Sequence, residues 1–594
     1  LKEKDVDWVK GASLGIISAL SLILSFSPSV FASVSPCDDF LASLAEGGSL
    51  QSVHRVEWAP GKFAFFSNPQ MAMEFKNGPT VQAIRHGTQF LMKRGSLEIP
   101  VDENGYIVAS SAGSYSEAIW ARDTGRMTFA LSPSKRGRAV RALLRLMGSP
   151  RNRELFFLNL RHKGVHRMSP EELRNFAPIN ENPHFRNLHR DASMFVPHIR
   201  FQKEEIADPR FFDIKKSLEM DFRPQQWNHK QNDALAITFL AAADAMKAGA
   251  ISWGQLGPDE QAALVLILAY GIHVEYYDKW DAGAWEEVNG RRTSSVAQFT
   301  DALIAFEKYM LSSGRRIHLR QNPLIPQDIA NQIDELIRPD VVRRAIDKGI
   351  EIVKHQVHRG EVPDAFEPSP ISPRFSDAAL SHLAWTMPEY LDESDYRAVL
   401  KHLQSLKRDK GMIRYNGDVY LILGQFWRPE TRIPQELLMP QHRQNPPLAS
   451  DVMKAFWNKD HSSIQSYFGG NFEAQWVLGE IMLLQMLPQM MNRFQDSPYR
   501  EEYRALLAET AVRFFSMVTG EDAEGRGPVG IDGQRVAPWV IPEAWIPVRL
   551  YKEDGRVETL YSPSPYTPLY WAKAEAWLAI DGFFKHCRWD CLAH

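Results

Sequence analysis

Cysteine is almost missing from this chain: Cys37, Cys587 and Cys591 are the only three in 594 residues. So few thiols exclude a disulfide-dense scaffold and leave packing as the source of stability; without histidines at matching spacing they make no zinc site either. One bridge is available, from Cys37 to Cys587 or Cys591, tying the N-terminal part to the last helix and leaving one thiol over. A surplus of charge of one sign is also lacking. The formal net charge is −3 with 24% charged residues, which excludes a polyanion-binding surface and, with it, nucleic acid as a partner. Long apolar runs are absent beyond the first thirty-odd residues. AALVLILAYGIHV, Ala262 to Val274, is too short for a membrane span and reads as a buried helix. Strand patterns are sparse, no sequence repeat of solenoid length is present, and nothing in the chain calls for a metal or a cofactor.

What is present begins with a targeting signal. Lys2, Lys4 and Lys10 lead into GASLGIISALSLILSFSPSVFA, which ends in small residues at the spacing a signal peptidase reads. The expectation is a secretory signal over residues 1–32 cleaved after Ala32, an N-terminal extension over 33–78, and one large domain over 79–594. An uncleaved membrane anchor is the alternative. Cleavage would make the protein periplasmic or secreted, with no stable membrane partner.

From about Pro79 the patterns are helical. Thr80 to Arg94 starts at a threonine cap; Ala234 to Met246 and Val296 to Met310 carry apolar residues at helical spacing. Further helices are expected at residues 340–355, 376–386, 394–406, 473–487, 499–519 and 568–585. Trp476 to Leu487 is apolar on nearly every side, so an inner layer of helices lies inside an outer one. Long connections separate them: Ser149 to Gln226, Arg315 to Arg338, His358 to Pro373, Arg428 to Gly470 and Gly520 to Pro568. Rich in arginine and aromatics, these read as ordered loops that build a pocket. Val53 to Phe66 and Val548 to Thr559 alternate as peripheral hairpins do. Sixteen tryptophans and seventeen tyrosines offer flat faces on which sugar rings stack, although most of them will be core.

Acids, arginines and tryptophans gather where connections meet helix starts. SEAIWARDTGR holds Trp120, Arg122 and Asp123; WNHKQNDALA holds Gln231 and Asp233; WDAGAWEEVNG holds Trp285, Glu286 and Glu287. GMIRYNGDVY holds Arg414, Tyr415, Asp418 and Tyr420, and VIPEAWIP holds Glu543. Each alone is explained by helix capping, the helix dipole or surface ion pairing. Their order carries more. WARD, QNDA, WEEVNG, RYNGDVY, and a late PE followed by LYWAKAE resemble, in sequence order over about Pro79 to Lys585, the motifs of the glucoamylase family, glycoside hydrolase family 15. They also resemble its relatives among the regulatory subunits of phosphorylase kinase.

That resemblance implies an all-α fold, an (α/α)6 toroid whose loops form a funnel-shaped site at one end. It implies hydrolysis of α-linked glucosides from the non-reducing end with inversion. Glu286 would be the general acid, kept protonated by a tryptophan wall and a second carboxylate; Glu287 would stay ionised; Glu543 would be the general base. Arg122 and Asp123 would bond the terminal glucose, Arg414 would serve the next subsite, and Trp120, Trp285 and Tyr415 would be apolar platforms. Gln231 and Asp233 join the substrate-binding set. The partner is then an oligo- or polysaccharide with α-linked glucose. Two departures stand out: Ala234 replaces the usual glycine, and a hairpin-like insert lies between Glu543 and Trp571. From Ser149 to Gln226 the chain would cover the acceptor side of the pocket. The competing reading is a toroid that binds glucan or regulates without turnover; trehalase-like and uronate-lyase toroids fit the composition but not WEEVNG.

Overall fold

A computed structural model of the chain describes residues 54–182, 185, 191–218, 227–287, 289–311, 322–362 and 374–587, with positions 40 and 592. Helices alternate between two layers. The outer members are α1 (Val81–Lys93), α3 (Pro133–Met147), α5 (Pro258–His273), α7 (Pro339–Val357), α8 (Glu393–Ser405) and α10 (Arg500–Ser516). The inner members are α2 (Ala121–Thr128), α4 (Asn232–Lys247), α6 (Thr293–Phe306), the 3₁₀ helix Ala378–Ala384, α9 (Leu478–Arg493) and α11 (Tyr570–His586). Each inner element packs on the next: α2 on α4, α4 on α6, α6 on the 3₁₀ helix, that helix on α9, and α9 on α11. Finally α11 packs on α2 and closes the ring. The fold is therefore an (α/α)6 toroid.

Composition sorts the two layers. α4, α6 and α9 are buried on nearly every side, because each faces neighbours in the ring and an outer helix behind. α1, α7 and α8 keep a polar face to water. α5 is the exception, an outer helix buried almost all round. Its outer side is covered by the helices Pro150–Arg161 and Gln327–Leu336, both from segments expected to be loops. The described residues from Ser149 to Leu218 thus form a folded insertion, with its own small core around Leu155, Ile179 and Phe195. Likewise Arg428 to Gly470 contains the helices Ala449–Trp457 and His461–Phe468. The expected helix at 376–386 is a 3₁₀ stretch, and the one at 473–487 begins only at Leu478, after a short strand.

Both expected hairpins are present: β1 (His54–Ala59) with β2 (Lys62–Phe66), and β6 (Ala544–Tyr551) with β7 (Val557–Pro563). β5 (Gln475–Trp476) adds to β6, while β3 (Ala118–Trp120) pairs with β4 (Arg200–Gln202). Among the described residues no helix is long and apolar enough to cross a membrane. The expected signal segment lies outside the described residues. Cys587 is disulfide-bonded, and both candidate partners, Cys37 and Cys591, lie outside them too.

The ring is tight where α2 crosses α4. A Cβ on Gly125 would come within 2.3 Å of Ile237 Cγ2, so only glycine lets these helices approach. Gly125→Ala is expected to cost roughly 1–3 kcal/mol of stability through overpacking. Comparing denaturant midpoints of the variant and the parent protein measures it.

Candidate active site

The N-terminal ends of the inner helices converge on one cavity of about 370 Å³. α2 contributes Trp120, Arg122 and Asp123, and the turn before α6 contributes Trp285, Glu286 and Glu287. Trp476 and Leu478 come from the start of α9; Leu569 and Trp571 come from the start of α11. Segments between helices add Trp227, Arg414, Tyr420 and Glu543. Helix N-termini carry partial positive charge and unpaired N–H groups, which favours the acids gathered here. Apolar walls come from ring pairs: Trp120 with Trp227, Trp285 with Trp476, and Tyr115 stacked on Tyr566 at 4.2 Å.

Arg122 organises one side. Its Nη1 donates to Gln231 Oε1 at 2.9 Å, Asp233 Oδ2 at 3.3 Å and the Gly283 carbonyl at 3.3 Å; its Nη2 donates to Glu286 Oε1 at 2.7 Å. Glu286 sits at φ 57°, a left-handed conformation unusual for glutamate, at the end of the 3₁₀ turn Gly283–Trp285. Gly283 makes that turn feasible, because it has φ +59° and a Cβ there would lie 2.1 Å from Arg292 Cδ. Burial raises the Glu286 pKa; the Arg122 guanidinium opposes it, and the net direction is up. Asp123, buried beside them, is pushed up to about 7 by desolvation against the same guanidinium.

Glu287 has the opposite fate. Burial alone would raise its pKa, but Arg414 at 3.0 Å, a bond from Arg374, Lys459 at 3.7 Å and the Tyr415 hydroxyl at 2.7 Å outweigh burial. They hold the carboxyl far below the usual range. Two adjacent acids in sequence thus differ because burial outweighs Arg122 and the more distant Arg200 at Glu286, whereas three cations and a hydroxyl outweigh it at Glu287. Arg414 is fixed in turn by Asp418, at 2.7 and 2.6 Å. Asp377, at the start of the inner 3₁₀ helix, accepts the Trp285 indole N–H at 2.6 Å and so holds that wall.

Glu543 stands at the head of β6. The insert between it and α11 is the β6–β7 hairpin, which returns Ser564 to donate to Glu543 Oε2 at 2.8 Å. Burial pushes the Glu543 pKa up to about 7, with Ser564 and Arg414 opposing. The sign for stability follows from an acid whose folded pKa exceeds its ordinary 4.5. The folded state binds the proton more tightly, so stability is lost as pH rises from 4.5 through about 7. Relative to Glu543→Gln, the parent protein is expected to lose on the order of 3 kcal/mol over that interval. Urea unfolding of both proteins below and above it measures the difference.

Not every expected substrate contact faces the cavity. Trp120, Arg122, Asp123, Trp285, Glu287 and Arg414 line it, together with Glu286 and Glu543. Gln231 and Asp233 sit behind, bonded to Arg122. Tyr415 is buried against Glu287 with Arg374 over its ring, so it anchors an acid and is no exposed platform. Arg374, Asp377 and Ser564 emerge only in three dimensions, as does Arg200, whose guanidinium lies 4.8 Å from the Trp120 ring centroid and 4.6 Å from that of Trp227. Arg200 lies on β4, so the 149–226 insertion does reach this wall.

No protein-family model and no curated protein matches the chain. The chain is similar to solved glycosidase structures. One, described as a wild-type glycosidase, is 13% identical, with 86% of this chain and 96% of that one covered and a TM-score of 0.41. A glucoamylase from Hormoconis resinae is 10% identical, with 84% and 73% covered and a TM-score of 0.41. A glucoamylase from Saccharomycopsis fibuligera is 14% identical, with 85% and 95% covered and a TM-score of 0.39. At that distance the site must be read from its own geometry.

Proposed function

We propose that the protein is an exported glycoside hydrolase that releases α-linked glucose from the non-reducing end of a glucan with inversion. The observation that carries this reading is the pair Glu286 and Glu543, two buried carboxyls with raised pKa in one aromatic-walled cavity. In this scheme Glu543 takes a proton from a water as the water oxygen bonds to the anomeric carbon. Glu286 gives its proton to the departing glycosidic oxygen, so the products are β-glucose and a glucan one unit shorter. Inversion requires roughly 6.5–9.5 Å between the carboxyls, to admit the water. A carboxylate whose conjugate acid has a pKa near 7 is a stronger base than an ordinary glutamate, which suits Glu543 to its task. Glu286 keeps its proton more readily once a sugar hydroxyl competes for Arg122, because burial then acts against less opposition. Arg122 and Asp123 bind the terminal ring, while Glu287, held ionised, works with Arg414 on the next one. Gln231 and Asp233 orient Arg122 and so belong to the same subsite at one remove.

The test is glucose release from a panel of α-glucosides, followed by proton NMR to read the anomer formed first. β-Glucose is the expected result. α-Glucose would replace inversion by retention, and glucan binding without turnover would replace the enzyme by a binding or regulatory toroid.

A further inference from the structure

In the 428–470 insertion the end of the helix Ala449–Trp457 and the turn Asn458-Lys459 after it have, apart from the Lys459 contact with Glu287, no role derived above. Phe456, Trp457 and Lys459 nevertheless line the cavity. Trp457 is 60% exposed, among the most exposed large apolar residues of the described part of the chain, although apolar side chains of this size are normally buried. It is held edge-on against Phe456 at 4.9 Å, and Phe456 in turn leans on Tyr420 at 6.4 Å, so the indole is braced rather than dangling. Lys459 has φ 52°, left-handed backbone that favours glycine. The turn is a Schellman cap: Asp460 N–H bonds the Ala455 carbonyl at 2.8 Å and Lys459 N–H that of Phe456 at 3.0 Å. Lysine therefore occupies the position where a helix cap favours glycine, and its ammonium reaches inward to 3.7 Å from Glu287. Backbone strain that aims a side chain at a cavity is the kind stored for binding.

We infer that this turn is a binding wall for a neutral sugar ring beyond the ring seated at Glu287, with Trp457 as its stacking platform and the Lys459 ammonium donating a hydrogen bond to a sugar hydroxyl. A neutral ring fits because Lys459 is already paired with Glu287, so little positive charge is left to recruit an anion. An exposed indole offers the apolar face on which a pyranose stacks, with water on its other side. The inference rests on the glucan-hydrolase reading and makes the substrate an oligosaccharide longer than a disaccharide.

The experiment is calorimetric titration of the Glu286→Gln protein with α-1,4- and α-1,6-linked glucose oligomers of increasing length. Affinity is expected to rise when a third ring is added, in one of the two series and independently of salt. Adding Trp457→Ala should remove that rise, a loss of roughly three- to tenfold; Trp457→Phe should restore most of it; Lys459→Met should weaken the third-ring gain. A third-ring gain that persists in Trp457→Ala overturns the wall while leaving the hydrolase reading intact. A gain that falls steeply with salt overturns the neutral ring. Failure of every oligomer to bind, glucose included, removes the hydrolase reading and this inference together.

Discussion

Glu286→Gln is expected to lower kcat on α-linked oligosaccharides roughly 10²- to 10⁴-fold, and Glu543→Gln by a similar factor, since in the proposed scheme each removes one proton transfer. Two equal losses do not assign two roles, but the leaving group separates them. With α-glucosyl fluoride the departing anion needs no proton, so Glu286→Gln should recover most of its rate while Glu543→Gln should not. Both variants should still bind sugar, because Arg122 retains Gln231 and Asp233, and Arg414 retains Glu287. Recovery in Glu543→Gln alone would exchange the two roles. Full activity in either variant would remove that residue from the chemistry. Steady-state kinetics on the natural glucoside and the fluoride, run side by side, decide among these outcomes.

The second large effect lies below the cavity floor. Arg126 donates two hydrogen bonds to Glu575, both at 2.6 Å, and the pair is almost completely buried. Glu575 also accepts the Trp571 indole N–H at 2.9 Å, and Arg126 lies over the Trp385 ring at 4.0 Å. Glu575→Ala leaves a buried guanidinium without its counter-charge and is expected to cost roughly 3–5 kcal/mol. Glu575→Gln keeps an acceptor for the indole and should lose less. Chemical denaturation gives the stability. Because Trp571 lines the cavity, KM for a glucoside should rise in Glu575→Ala even where the protein is fully folded. A cost below about 1 kcal/mol would be that of an exposed pair and would contradict the burial seen here.

Much of this fold was legible from periodicity, for a physical reason. Helices such as Val81–Lys93 and Pro339–Val357 have one wet face, and a wet face writes itself into the sequence every three to four residues. Pro150–Arg161 has no such face. It is covered on both sides and carries buried Asn152, Arg153 and Asn159 among its apolar residues, so it read as loop. The helix expected at 376–386 is the 3₁₀ helix Ala378–Ala384, a distinction its wholly buried residues do not write into the sequence. Within the site, motifs marked where acids and arginines would meet, but not which way they face. Tyr415 resembles a platform on paper; its hydroxyl is committed to Glu287. Trp457 and Lys459 lie in the connection Arg428 to Gly470, which reads as a pocket-building loop, but nothing in its sequence says which of its aromatics and cations face the cavity.

Ring closure between α11 and α2 has a consequence for synthesis of the protein. The inner layer is assembled in chain order, yet its last seam joins Tyr570–His586 to Ala121–Thr128. Trp571 and Glu575, which supply the floor and its support, therefore leave the ribosome after almost everything they touch. At roughly 5–20 residues per second, α2 waits on the order of half a minute or longer with the flank that α11 will cover exposed. A message truncated before α11 would yield an open horseshoe, exposed along that flank and prone to associate with other copies.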